Sequence, residues 1–254
     1  MLDLIKLRRQ HGYQAIPDIK NAKILSTHRG YPIIDESKCV SGCSDCENVC
    51  PTNAIKVNPL SIDLGKCIFC GECERACPGG AIKFTNEYKL GSTGRNNLII
   101  TSGKLFADYE KEAIELRKEI HKIFGHSLKL RQVSAGGCNG CEMELAACGN
   151  VNFDMGRFGI DFVASPRHAD GIVITGPITK NMAPALMDAY KSVNSPKIVI
   201  AVGACTISGG VFEESDELNR SFLNEIKIDL YIPGCPPHPL TFINAILDFI
   251  GKKI

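Results

Sequence analysis

The sequence predicts an α/β protein, a mostly parallel sheet with helices on both faces, preceded by a small α+β unit that is built twice over. Three observations carry this. From Leu128 onward, short apolar runs alternate with helical patterns, the arrangement that buries parallel strands between helices. Between Pro32 and Tyr88 a cysteine-rich unit occurs twice, which implies two pseudo-symmetric halves. Of the 254 residues, 44% are apolar, enough to build ordinary cores.

The composition also excludes classes of function. Lys plus Arg number 29 against 28 acidic residues, a net charge of +1, which gives no reason to expect nucleic acid. No stretch approaches the roughly 20 apolar residues of a membrane-spanning helix. The start, MLDLIKLRRQHGY, lacks the apolar core and cleavage site of an export signal, so a cytoplasmic location is expected. Thirteen cysteines in a reducing compartment point to metal binding rather than to a disulfide scaffold.

Residues 1–30 form an arm that opens with Leu2, Leu4, Ile5 and Leu7 among Lys6, Arg8 and Arg9. So short a basic segment anchors weakly in lipid, and it reads as a surface segment packed on a neighbouring subunit.

Residues 31–90 hold the duplication. Ile34-Asp35-Glu36-Ser37-Lys38-Cys39 continues through Cys43, Cys46 and Cys50-Pro51 to Ala54-Ile55-Lys56-Val57. Ile62-Asp63-Leu64-Gly65-Lys66-Cys67 continues through Cys70, Cys73 and Cys77-Pro78 to Ala81-Ile82-Lys83-Phe84. Each copy reads as a short strand, a cysteine loop, one helical turn and a second strand. The second copy is C-x2-C-x2-C-x3-C-P, and the first differs by one extra residue between Cys39 and Cys43. Three thiolates on one tight loop cap three irons of a cubane, while the fourth cysteine crosses to the other cluster. Crossed ligation is therefore expected: Cys39, Cys43, Cys46 and Cys77 for one cluster, and Cys67, Cys70, Cys73 and Cys50 for the other. A zinc site needs four ligands but not this spacing twice with a proline each time. The segment resembles a bacterial two-cluster ferredoxin domain.

Residues 91–126 are a linker. The stretch 89–104 is rich in Gly, Ser, Asn and Thr, with a short strand expected at Leu98–Ile100. Leu105, Tyr109, Ala113, Leu116, Ile120 and Ile123 then recur at spacings of three and four. That pattern predicts one amphipathic helix closed by Gly125, a spacer between two cofactor-bearing units.

Residues 127–254 carry the parallel sheet. Strands are predicted at 128–133, 160–164, 171–175, 197–202 and 230–232, and helices at 141–148, 182–193, 215–226 and 240–250. In its simplest form this is flavodoxin-like, with ligands beyond the carboxyl ends of the strands. Cys138 and Cys141 follow the first strand, Cys205 the fourth and Cys235 the fifth. Three loops thus bring four thiols to one edge, flanked by glycines that let backbone approach a bulky cofactor and offer N–H groups to its sulfides. Cys148, alone within a helix, reads as packing.

The C-terminal pieces carry a resemblance. They are Gly137-Cys138-Asn139-Gly140-Cys141-Glu142-Met143-Glu144, Ala164-Ser165-Pro166-Arg167-His168-Ala169-Asp170, Thr175-Gly176-Pro177, Met182-Ala183-Pro184-Ala185, Gly203-Ala204-Cys205, Ser208-Gly209-Gly210-Val211-Phe212 and Pro233-Gly234-Cys235-Pro236-Pro237. They resemble the small-subunit family shared by [NiFe] hydrogenases and the 20 kDa, terminal-cluster subunit of complex I. The resemblance implies that Cys138, Cys141, Cys205 and Cys235 bind a third [4Fe-4S] cluster facing a large catalytic subunit. Complex I uses adjacent cysteines for the first pair, and C-x-x-C here is as in hydrogenases. The short stretch after Cys235 leaves no room for the two further clusters of uptake hydrogenases, so electrons are expected to enter through the ferredoxin unit. Cys67-Ile68-Phe69-Cys70-Gly71 through Glu87-Tyr88 also resembles the electron-feeding subunit of formate hydrogenlyase and related membrane-bound group 4 hydrogenases.

The resemblance implies a fusion of two such subunits. Its expected partners are a hydrogenase large subunit and membrane-arm subunits that hold it at the cytoplasmic side of the membrane, with ferredoxin or a formate dehydrogenase as donor and protons as final acceptor. The alternative is the equivalent subunit of a complex I-like or hydrogenase-related oxidoreductase reducing quinone, sulfur or another acceptor; a free-standing ferredoxin-like carrier would leave the C-terminal cluster edge exposed. No catalytic residue is expected in this chain. Glu144 has the position of an acid near the terminal cluster in relatives, or is a helix N-terminal carboxylate held by the dipole. Arg167 is read as a hydrogen-bond donor to the cluster or its cysteines, or as half of a salt bridge. His168 and His238 are read as loop residues on the cluster edge, either taking up a coupled proton or bonding structurally.

Overall fold

A computed structural model describes residues 2–115, 118–125 and 127–252. The chain opens with helix α1 (Leu2–His11), which buries none of its side chains. The arm then folds back onto the chain's own C-terminal half. Ile19 is fully buried, Ile16 N–H donates to Asn152 O at 2.8 Å, and Lys20 pairs with Asp248 at 2.9 Å. This half of the arm is thus covered by its own chain, because the last helix leaves an apolar face that needs covering.

The duplicated unit contains β1 (Pro32–Ile34), α2 (Asp45–Asn48), β2 (Ile55–Val57), β3 (Leu60–Asp63), α3 (Glu72–Ala76) and β4 (Ile82–Phe84). The first strand of one copy pairs with the last of the other, β1 antiparallel to β4 with Ile34 opposite Ile82; β2 and β3 pair across the centre with Ile55 opposite Ile62. All four isoleucines are buried, so each copy closes its core with the other. Strand β5 (Ile99–Thr101), from the linker, extends the inner sheet antiparallel to β3.

The linker departs from the single helix its periodicity predicts. Helix α4 (Phe106–Ala113) stops at Ile114, whose backbone is extended, and α5 (Lys118–Phe124) follows; Leu116, part of the predicted stripe, lies outside the described residues. The break has a tertiary cause. The carbonyl of Ala113 accepts from Thr93 N–H and Ser92 Oγ, each at 2.8 Å, and Thr93 Oγ1 accepts from Glu115 N–H, which takes up groups a continuing helix would use. Tyr109 packs 5.2 Å from Tyr31 in the ferredoxin core, while His121 Nδ1 meets Ile250 O at 2.8 Å. Leu105 and Ile123 remain exposed. The segment fastens to both halves instead of spacing them.

The C-terminal half runs β6 (Leu128–Ser134), α6 (Gly140–Ala147), β7 (Ile160–Phe162), β8 (Gly171–Thr175), α7 (Met182–Ser192), β9 (Ile198–Val202), α8 (Gly203–Ser208), α9 (Ser221–Glu225), β10 (Leu230–Ile232) and α10 (Pro239–Phe249). Its five strands are all parallel, in the order β10-β9-β8-β6-β7, a flavodoxin-like sheet. Alternate residues go to opposite faces, as the strand period requires. Ile172, Ile174, Val199 and Ala201 join a core continuous with that of the ferredoxin half, whereas Val173, Ile198, Ile200 and Val202 pack with α10. Of the helix predicted at 215–226 only α9 forms. Asn219 N–H is engaged by Ile178 O and the Arg220 guanidinium by three carbonyls, so residues 215–220 stay irregular.

Candidate metal centre

The loops of the duplicated unit aim their sulfurs inward by one repeated device. The third residue after each fourth cysteine is left-handed, Asn53 with φ 50° and Gly80 with φ 63°, a conformation that Asn and Gly tolerate. The next N–H then turns back to the sulfur: Ala54 N–H donates to Cys50 Sγ at 3.3 Å and Ala81 N–H to Cys77 Sγ at 3.2 Å. Phe69 N–H donates to Cys67 Sγ at 3.3 Å. The extra residue of the first copy is absorbed near Gly42, which has φ +76° and open space where a Cβ would stand.

These thiols sort across the two copies. Cys50 of the first lines one apolar cavity with Cys67, Cys70 and Cys73 of the second, walled by Ile55, Ile62 and Phe84. Burial pushes the Cys73 thiol up to about 12, with added repulsion from Cys50 and Cys70. Burial likewise raises Cys39, helped by Cys77 and Cys43, and raises Cys46, helped by Cys77 and Cys39. The two groups adjoin, since Cys46 also acts on Cys73.

The remaining thiols meet at the carboxyl edge of the sheet. Cys138 follows β6, Cys141 stands in the first turn of α6, Cys205 in α8 and Cys235 beyond β10. Burial raises Cys141 to about 12, with repulsion from Glu142, Cys205, Cys235 and Cys138; burial raises Cys205 to about 11, with Cys235 and Cys138 adding and Arg220 opposing. Glycines make room for the sulfurs. A Cβ on Gly203 would stand 2.7 Å from Cys141 Sγ, one on Gly210 3.2 Å from Cys205 Sγ, and one on Gly140 3.5 Å from Cys138 Sγ. Cys148 is instead buried beneath α10, its Sγ 3.4 Å from Glu144 O.

A cleft joins this edge to the ferredoxin half. Ile68, Phe69 and Cys70 line one side and Gly234, Cys235, Pro236 and His238 another, with Thr27, His28 and Arg29 as a wall. Arg29 Nε donates to Phe69 O at 2.6 Å. The group around Cys70 therefore adjoins both of the others.

Other residues singled out in the sequence fare differently. Glu144 is half-buried on α6, and burial raises its carboxyl; the acid held in place is Glu142, which accepts from Thr175 Oγ1 at 2.6 Å. Arg167 and His168 are exposed on a 3-10 turn just before β8. The Arg167 carbonyl accepts from Asn194, which precedes β9. They lie toward the amino ends of the strands, away from the thiols. The reason is that β7 pairs only with Leu128–Leu130, so the chain turns back to start β8 opposite the same Leu130. His238 does line the cleft, where it caps α10 through Nδ1, accepting from Leu240 N–H at 3.1 Å. Burial and neighbouring His28 push it down to about 4, so it is neutral at pH 7. The arginine at the thiols is Arg220, donating to Cys205 O at 3.0 Å, Pro177 O at 3.1 Å and Thr206 O at 2.7 Å. Sequence reasoning missed it because it stands alone in an acidic segment without a motif.

Among the described residues, no three His, Cys, Asp or Glu side chains come close enough to hold a single metal ion. A cubane takes each thiolate on a different iron, and the open groups of four, with backbone N–H groups on sulfur and glycine-lined room beside it, fit that donor requirement.

A duplicated thiol-bearing unit docked against the thiol edge of a parallel sheet defines an iron–sulfur oxidoreductase subunit. The chain belongs to the family of the NADH ubiquinone oxidoreductase 20 Kd subunit, whose pattern matches residues 138–249, while 4Fe-4S binding domain patterns match 31–55 and 60–83. It is 38% identical to a probable membrane-bound hydrogenase subunit, mbhJ, of Pyrococcus furiosus, over 56% of this chain and 86% of that one. It is 39% identical to formate hydrogenlyase subunit 7 of Escherichia coli, over 56% of each chain. With a subunit of the NADH-quinone oxidoreductase of Geotalea daltonii it shares 43% identity over 44% of this chain and 68% of the relative.

Proposed function

We propose that this chain is the electron-carrying subunit of a membrane-bound, hydrogenase-type complex. It would take electrons from ferredoxin or a formate-oxidising partner and deliver them to a nickel-iron large subunit that reduces protons. Three [4Fe-4S] clusters would be held by Cys39, Cys43, Cys46 and Cys77, by Cys67, Cys70, Cys73 and Cys50, and by Cys138, Cys141, Cys205 and Cys235. A thiolate-held cubane supplies one-electron chemistry with little rearrangement. The observation that carries the reading is the middle group of thiols, which adjoins the first through Cys46 and the third across the cleft between Cys70 and Cys235.

The protein's own residues prepare these sites. Raised thiols stay protonated without metal, so iron binding must displace protons, and the N–H groups on Cys50, Cys67 and Cys77 stabilise the thiolates that result. Cys138 and Cys235 are exposed at the sheet edge. The nearby surface includes Met143, Val211 and Phe212, exposed at 66%, 55% and 40%, an apolar rim suited to a catalytic partner. No helix among the described residues is long and apolar enough to cross a membrane, and attachment through partner subunits is part of the proposal. Anaerobic reconstitution with iron analysis and EPR tests it: about twelve irons per chain are expected for three cubanes, and a plateau at four or eight defeats it. Nickel in the copurified large subunit separates proton reduction from reduction of a quinone or sulfur acceptor.

A further inference from the structure

Arg220 is the cation that reaches the C-terminal thiols through a ring of neutral acceptors. Its three hydrogen bonds go to the carbonyls of Cys205, Pro177 and Thr206, neutral acceptors that hold the guanidinium in place and cancel none of its charge. The carboxylate within electrostatic reach, Glu213, is already bound by Lys66 Nζ at 2.6 and 3.0 Å. Acting on Cys141 of the same group with opposite sign is Glu142, which accepts from Thr175 Oγ1.

We propose that Arg220 is a positioning residue with two effects. It clamps the loops after β8 and β9 so that Cys205 faces Cys138 and Cys235, and its uncancelled charge raises the reduction potential of the cluster those thiols hold. The inference rests on the third cluster proposed above. The direction follows from charge: a cluster with four thiolates is net negative, reduction adds another negative charge, and a nearby cation favours the reduced form at short range in a partly buried site. Lys66 adjoins Cys67, so its grip on Glu213 also fastens the middle cysteine loop to the segment that carries Arg220.

The test is an EPR-monitored redox titration of the reconstituted full chain, with iron counted in every sample and the C-terminal signal identified as the one lost in Cys205→Ser. Arg220→Met is expected to shift that signal's reduction equilibrium at least tenfold toward the oxidised form, 59 mV for one electron. Arg220→Lys, which keeps the charge, is expected to stay near wild type. An unmoved signal in Arg220→Met, or a shift as large in Arg220→Lys, overturns the proposal. If Arg220→Met loses four irons, Arg220→Gln, which keeps a donor for the same carbonyls without the charge, decides: a downward shift upholds the charge effect and no shift ends it. A wild type without a third signal overturns the cluster reading and this inference together, whereas three signals with unmoved potentials overturn this inference only.

Discussion

Gly203→Ala is the sharpest probe of the C-terminal centre, because two independent penalties fall on one methyl group. Gly203 has φ +86°, and left-handed backbone costs an L-residue about 1–2 kcal/mol. The new Cβ would stand 2.7 Å from Cys141 Sγ, and overpacking of this kind costs about 1–3 kcal/mol when side chains or backbone must shift. Together they come to about 2–5 kcal/mol, a large part of the roughly 5–15 kcal/mol that holds a domain folded. Relief has to come from moving Cys141 or the β9–α8 turn, and either displaces a thiol. The expected readout is selective: iron falls from about twelve to about eight per chain, with the ferredoxin EPR signals retained. Gly103→Ala is the control, since Gly103 has φ +79° but nothing within 4 Å of the added Cβ; it should cost only the backbone term and no iron. A Gly203→Ala protein with full iron and an unchanged melting temperature would refute the steric argument.

Three further outcomes follow from the same geometry. Cys50→Ser should abolish the EPR signal shared with Cys67, Cys70 and Cys73 and spare the one assigned to Cys39, Cys43, Cys46 and Cys77; loss of the latter would mean uncrossed ligation. Asp63→Ala should destabilise the chain by about 2 kcal/mol in denaturant melts, because Asp63 accepts from both ends of the Arg95 guanidinium at 2.8 and 2.6 Å and from Gly65 N–H at 2.8 Å. His238 sits near 4 in the fold against 6.5 ordinarily, so the unfolded chain takes up the proton first as pH falls. Its contribution is complete above pH 6.5 and is lost toward pH 4. Melting temperatures over that window should fall less steeply in His238→Asn than in wild type, and parallel curves would contradict this.

Much of the centre was legible because it is written in local spacing. The two C-P motifs, with their third residue able to turn left-handed, aim sulfur inward within a few residues of chain. The five strands likewise announce themselves as apolar runs, and all five form. The errors share a cause. The linker helix has the right periodicity, yet Ser92 and Thr93 claim the Ala113 carbonyl and end it. Residues 215–220 look helical until Arg220 is needed at the loops of β8 and β9. Arg167 is expected as a donor to the cluster or its cysteines, but the shortness of β7 sends its loop to the other end of the sheet.

By itself the sequence determined which residues can ligate and which way each loop turns, because spacing, glycine placement and strand period act between near neighbours. Spacing and resemblance also sorted the thiols into three groups, and only the tertiary structure decided how those groups sit against one another and what surrounds them. Cys50 leaves its own motif for the cavity of Cys67, four cysteines spread over nearly a hundred residues converge on one edge, and the charge beside them comes from Arg220. Those choices depend on contacts between segments far apart in the chain, which are fixed only when the buried strands and the continuous core bring their loops together.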